Sequence, residues 1–261
     1  MSTIHVPVTR NGFGRTSRPD AWWVVPLLTF LGLGAFVVYV TWAAFQGVHY
    51  RFGPYLSPLY SPEIFGDPRT AWFGGKPDWF PSFLPFTPAL LVLWAPGGFR
   101  FSCYYYRGAY YKAFWADPPS CAVGEPRKSY CGEASFPLIL QNIHRYFLVV
   151  ALIFLPILWH DVWEGFWFDT GFGVRAGSLI LLVNTILLTG YSLGCHTLRH
   201  QIGGILDQLS RRPIRKQGYR MASCFNRSHM LWAWTSLFSV AFSDLYVRLC
   251  SMGIWTDWRI F

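Results

Sequence analysis

The sequence is short of charge. Only 13% of its 261 residues are Asp, Glu, Lys or Arg, about half the share usual in soluble domains. Acidic residues are the scarcer kind, 13 against 22 basic, for a net charge of +9. No small-residue cleavage site follows the first apolar run, so a removable signal peptide is not expected. No internal repeat of the transporter kind is found either, and five spans do not divide into two halves. The basic excess does not point to nucleic acid, because the cations lie in loops between apolar spans, where membrane topology puts them.

What is abundant is apolar and aromatic. Hydrophobic residues make up 52% and aromatics 20%, with 14 Trp, as interfacial belts require. The expectation is an all-α integral membrane protein, a single membrane domain over residues 1–261 built as a five-helix bundle. The helices are placed at about 22–46, 83–106, 137–159, 175–200 and 229–252. The first is long enough to span a hydrocarbon core of roughly 30 Å. Pro85, Pro88 and Pro96 predict a kink in the second, and Pro137 is a good first-turn residue for the third. A long outer loop, 47–82, is rich in Pro, Gly and aromatics and reads as an ordered or re-entrant cap. Fifteen of the 22 cations fall on one side. They are Arg10, Arg15 and Arg18 before the first span, five between the second and third (Arg127 and Lys128 among them), and seven from Arg199 to Arg227. The positive-inside rule then places the N-terminus in the cytoplasm.

The residues able to carry chemistry collect at the inner ends of these spans. Cys103, Cys121, Cys131, His144, Cys195, His196, His200, Cys224 and His229 all map there. Thiols on the cytoplasmic side stay reduced, so metal binding or packing is expected of them rather than cross-linking. His196 and His200 are one helical turn apart and can chelate one metal, while adjacent Cys195 points about 100° away. Cys103 and Cys121 are 18 residues apart, so only a loop folding back would join them. Thiolates with imidazoles suit zinc or iron–sulfur chemistry. The two Cys–x–His boxes of soluble Rieske proteins are absent, so spacing alone does not name a cluster. His144, Arg145 and Tyr146 open the third span, where an imidazole, a cation and a phenol could hydrogen-bond quinone carbonyls or simply anchor the interface. His49 and His160 sit at the outer ends of spans. Asp244 should face the bundle interior with Arg248, one turn on, as partner, serving either structure or a proton path.

The runs FSCYYYRGAYYKAFWADPPSCAV, FPLILQNIHRYF, CHTLRH and SHMLWAW resemble the membrane anchor subunit of actinobacterial-type succinate dehydrogenases. The resemblance covers most of the chain from about Arg100 onward. It implies a bacterial inner-membrane complex with a flavoprotein subunit carrying FAD, an iron–sulfur subunit and, in some members, a small membrane subunit. Electrons would pass to a quinone, expected to be menaquinone. Many five-span anchors hold two b haems with a His pair toward each face, and here the outer side offers only His49 and His160. The branch it resembles more closely lacks haem and is implied to use a membrane-embedded Rieske-type [2Fe–2S] cluster. Carried over, Cys103 and Cys121 would bind one iron and His196 and His200 the other, with His229 or His144 as substitutes, leaving Cys131 and Cys224 structural. The competing expectations are a dihaem cytochrome b anchor and a membrane transporter or scaffold without redox function.

Overall fold

The computed structural model describes residues 6–7, 12–126, 129–130, 134–136, 138–204 and 208–261. Arg10, Arg127, Lys128, Cys131 and Pro137 lie outside them. The chain clusters into two compact units, Met1–Val38 with Gly98–His144, and Tyr39–Gly97 with Arg145–Phe261. Helices dominate both, and strands occur only as two-residue antiparallel pairs among the described residues.

Among the described residues, three helices are long and apolar enough to cross a membrane: α1 (Val24–Gln46), α5 (His144–Glu164) with the 3-10 turn Leu138–Ile143 leading into it, and α6 (Ala176–Leu193). Their large apolar side chains remain exposed, among them Val25, Leu28 and Val38 on α1 and Val149 and Ile153 on α5. So much contiguous apolar surface fits contact with lipid.

The second expected span is interrupted. Thr87 caps α2 (Pro88–Val92), its hydroxyl accepting from Leu90 N at 3.4 Å with Pro88 in the first turn. Then follow α3 (Trp94–Phe101), a break at Ser102–Cys103, α4 (Tyr104–Tyr110) and a π-helical turn Tyr111–Trp115. The fourth expected span also ends early, at Leu193, because the chain turns extended at Cys195 before α7 (His196–Gly203) begins. The basic connection beyond it contains α8 (Pro213–Asn226), which the sequence reading left without structure. The fifth segment is α9 (His229–Ser251), 23 residues like α1, but with Ser236, Ser239, Ser243, Asp244 and Arg248 among its apolar residues.

In the first unit, strand β1 (Val6–Pro7) pairs with β4 (Ser129–Tyr130). Gly14 N donates to Gly124 O and Gly124 N to Arg15 O, tying the N-terminal tail to the loop that carries Cys121. Phe30 of α1 packs on Phe114 at 4.8 Å between ring centroids.

In the second unit, α6 and α9 approach closely because glycine clears the way. A Cβ on Gly190 would lie 2.7 Å from the Trp232 ring, and one on Gly177 2.5 Å from Tyr55. Tyr55, Val162, Leu181 and Val247 form a buried cluster there. The long loop is ordered, as expected. It contains the hairpin β2 (Arg51–Phe52) with β3 (Tyr55–Leu56). Glu63, almost fully buried, is its hub. Its carboxylate accepts from Tyr50 Oη at 2.9 Å, Arg51 Nη2 at 2.6 Å, Thr70 Oγ1 at 3.0 Å and Asp67 N at 2.9 Å. A second hairpin, β5 (Trp167–Phe168) with β6 (Gly171–Phe172), leads to a β-bridge between Arg175 and Arg259.

Candidate functional site

Two helix breaks share one construction. At the first, Cys103 is the N-cap of α4 with φ −63° and ψ 131°. At the second, Cys195 is the N-cap of α7 with φ −60° and ψ 131°. The hydrogen bonds also correspond. Ser102 N donates to Gly98 O and Gly194 N to Gly190 O; Cys103 N to Arg100 O and Cys195 N to Ser192 O; Arg107 N to Cys103 O and Arg199 N to Cys195 O. The residues follow suit, Gly98-Phe99-x3-Cys103-x3-Arg107 against Gly190-Tyr191-x3-Cys195-x3-Arg199. Both thiols are buried, at 3% and 2% exposure.

Each break meets a histidine that opens a helix. In the first unit, the ring of His144, first residue of α5, stacks on Phe99 at 4.7 Å and 5°. In the second, the ring of His229, first residue of α9, stacks on Tyr191 at 5.1 Å and 15°. In both cases the aromatic partner is one turn before the cysteine. Asn226 Nδ2 donates to Gly194 O at 2.7 Å, pinning the second break to the end of α8.

The first break also sets a tautomer. Ser102 Oγ donates its single hydrogen to Gly98 O at 2.6 Å and lies 3.0 Å from His144 Nδ1. Toward His144 the hydroxyl oxygen therefore accepts, so Nδ1 carries a proton. His144 is 4% exposed. Its neighbours Arg145 and Tyr146 are exposed, with the guanidinium 5.0 Å from the phenol ring centroid and Arg145 Nη2 donating to Tyr146 Oη at 3.3 Å.

His196 and His200 do stand together, their Nε2 atoms 3.0 Å apart, on the exposed face of α7. Burial, then the charges of His200 and Arg199, lower the pKa of His196. Cys121 is exposed in a turn, and Arg18 Nη1 donates to its carbonyl at 2.9 Å. Cys103, Cys121, Cys195, Cys224 and Cys250 form no disulfide. Among the described residues, no three His, Cys, Asp or Glu side chains gather as a metal site.

On the far side of the second unit, His49 Nδ1 lies 3.2 Å from Ser251 Oγ. His160 lies 3.8 Å from Glu164 and lines a cavity of about 620 Å³ with Arg51, Glu63, Trp72, Asp161 and Glu164. Asp244 and Arg248 are paired at 3.4 Å and almost fully buried, as expected. Tyr39 Oη donates to Asp244 at 2.7 Å, Ser57 Oγ at 2.5 Å, and Arg248 Nη1 donates to Val48 O at 2.9 Å. This cluster fastens α1, the outer loop and α9 to one another. Sequence spacing missed the Cys103–Cys195 correspondence, whose signal was the repeated Gly-aromatic-x3-Cys-x3-Arg pattern.

Long apolar helices able to cross a bilayer, with thiols and imidazoles near their broken ends, define the class as a multi-span membrane subunit. The family model for the actinobacterial succinate dehydrogenase subunit SdhC matches residues 24–253, and the chain belongs to that family, as a membrane anchor subunit of a succinate dehydrogenase complex. It is similar to a chain of the Mycobacterium smegmatis Sdh1 complex in the apo form, with 42% identity, 98% of each chain covered and a TM-score of 0.87. The comparison with curated proteins gave no match.

Proposed function

We propose that this subunit carries electrons from an iron–sulfur partner subunit, through a membrane-embedded Rieske-type [2Fe–2S] cluster, to a quinone, with menaquinone the expected acceptor. The observation that supports the reading is a buried thiol at each helix break, four residues after an aromatic ring on which a helix-opening imidazole stacks. Reduced thiols and neutral imidazoles are the donor chemistry that such a cluster requires. When bound, the cluster would relay one electron at a time at a raised potential. The proposed donors are Cys103 and Cys121 with His196 and His200, or with His229 or His144 in their place.

At the quinone, Arg145 and Tyr146 do the protein's work. The guanidinium and phenol are exposed at the head of α5, where each can donate a hydrogen bond to a carbonyl oxygen. Reduction to the quinol takes two electrons and two protons, and donors at the carbonyl oxygens stabilise the negative charge that develops there. His144, its Nδ1 facing Ser102 Oγ, is the imidazole at the head of the same helix.

In this reading the complex lies in a bacterial inner membrane with the N-terminus of this subunit cytoplasmic. Its basic inner loops face the iron–sulfur subunit, and an FAD-containing flavoprotein and a small membrane subunit complete the assembly. The test is low-temperature EPR of the dithionite-reduced complex with its visible spectrum. A Rieske-like signal without haem bands supports the cluster path. Reduced b-haem bands without that signal would replace it with a dihaem path, and neither feature would leave an anchor without a redox centre.

A further inference from the structure

We propose that residues 253–261, the strap that follows α9, form a phospholipid site in which Arg175 and Arg259 together hold the phosphate of a headgroup. Such a site requires only that the subunit spans a membrane, whatever path its electrons take.

Position is the first support. Helix α5 ends at Glu164 and α6 starts at Ala176, and both can cross a bilayer, so the turn between them lies at a membrane face. The strap is fastened to that turn. Ile260 N and Phe261 N donate to Val174 O at 2.8 and 3.0 Å, Val174 N to Phe261 O at 3.1 Å and Ala176 N to Trp258 O at 2.9 Å. Asp257, 8% exposed, locks the strap to the helices. Its carboxylate accepts from Gly177 N at the start of α6, from Tyr55 Oη, both at 2.9 Å, and from Tyr246 Oη of α9 at 2.8 Å. The strap is thereby held at headgroup depth.

Charge is the second. Arg175 and Arg259 stand opposite each other in an antiparallel β-bridge. Residues so opposed send their side chains to the same face, where like charges destabilise the pairing. Among the described residues neither guanidinium forms an ion pair. Arg175 lies over the Phe168 ring, 4.2 Å from its centroid. Asp257, the carboxylate of the strap, is taken up by its three donors, and Asp169 in the turn of the neighbouring hairpin pairs with neither cation. An anion between the two arginines turns their repulsion into attraction, and the guanidinium fork matches phosphate oxygens. At a membrane face the abundant phosphate is that of the lipids.

The third is the apolar surface beside the charge. Trp258 is 75% exposed, Phe261 71%, Ile260 60% and, on the hairpin, Phe172 52%. The Phe172 ring meets Trp167 edge-on at 5.8 Å, so the hairpin adds a second exposed indole. Indoles at this depth belong among headgroups and the upper acyl chains, while the guanidiniums reach the phosphate level. One phospholipid satisfies both parts, its phosphate on the arginines and its glycerol and chains on the apolar side chains.

The experiment uses the purified complex. A photoreactive benzoylphenylalanine replaces Phe261, the complex is illuminated in nanodiscs of phosphatidylglycerol and phosphatidylcholine, and adducts are read by mass spectrometry. A phospholipid adduct is expected. An adduct to protein alone overturns the site. So does no adduct, when the same probe in place of the exposed Val38 of α1 labels lipid. In detergent, phosphatidylglycerol should raise the thermal midpoint of the unmodified complex, and inorganic phosphate at the same concentration should not. Arg175→Gln with Arg259→Gln should lose most of that rise, and Arg259→Gln alone, which leaves the contact of Arg175 with Phe168 in place, should lose part of it. Succinate oxidation by a soluble dye reports assembly of each variant. No rise in the unmodified complex, or an equal rise in the double variant, would remove the two arginines from lipid binding. An equal rise with inorganic phosphate would replace the lipid by a free anion.

Discussion

Asp244 and Arg248 are the costliest residues in α9 to keep and the costliest to break apart. Each is buried with the other as its charge partner; Tyr39 and Ser57 donate to Asp244 and Arg248 Nη1 donates to the Val48 carbonyl, while Arg248 Nη2 has no hydrogen-bond partner among the described residues. Removing one partner leaves an uncompensated charge, a loss of about 3–5 kcal/mol, whereas replacing both by apolar residues of similar volume is often close to neutral. Arg248→Met alone should therefore lower the thermal midpoint of the complex more than Asp244→Leu with Arg248→Met does. A double variant at least as unstable as the single one would show that the pair adds net stability. Sequence spacing was enough to pair these two, because residues four apart on a helix share a face. Tyr39 and Ser57 come from distant parts of the chain, and nothing local announced them.

At the scale of elements, close helix approach and an ordered loop depend on single residues. Gly190→Ala would drive a methyl group into the Trp232 ring, 2.7 Å away, and overpacking of this kind costs about 1–3 kcal/mol. Gly34 in α1 has nothing within 4 Å of an added Cβ, so Gly34→Ala should cause no loss. Thermal unfolding of the two variants side by side checks the contrast. In the outer loop, burial alone would raise the pKa of Glu63. The Asp67 N–H, the Arg51 guanidinium and the Tyr50 hydroxyl outweigh it and hold the carboxylate below its ordinary range. A depressed carboxylate contributes stability above its unfolded pKa of about 4.3 and loses it as pH falls through the lower folded value. Hydrogen exchange over residues 50–73 should accelerate on acidification through that window. Glu63→Gln should exchange faster already at neutral pH and respond less to acid.

The boundaries of the spans were partly legible in the sequence. Proline marked the interruption of the second, and the length of α9 was read to within a residue of its end. The break at Cys195 was not read, because GYSLGCHTLRH keeps helical spacing and its glycines are common near helix ends. The one long-range bond at the break is from Asn226 Nδ2, at the end of α8, to Gly194 O, a tertiary contact that local spacing does not announce.

Taken whole, the subunit leaves many large apolar side chains exposed on its long helices, surface that a soluble protein would cover. Such a molecule is an anchor first, and its part in quinone chemistry can be separated from succinate oxidation on a partner. Arg145→Ala should lower quinone-linked turnover roughly 10- to 100-fold, the worth of one charged hydrogen bond. Succinate oxidation by a soluble dye should be unaffected. Equal loss of both activities would remove Arg145 from the quinone site.

The sequence by itself determined the class of the molecule. Scarcity of charge, apolar run length and the distribution of cations are bulk quantities, and a bilayer reads them without knowing the fold. It also determined which side chains could bind metal or quinone. The tertiary structure decided which of them share a neighbourhood. Burial of Cys195, exposure of Cys121, the ring stacked beneath His144 and the proton on its Nδ1 all depend on contacts between residues far apart in the chain. Short-range spacing carries no record of such contacts.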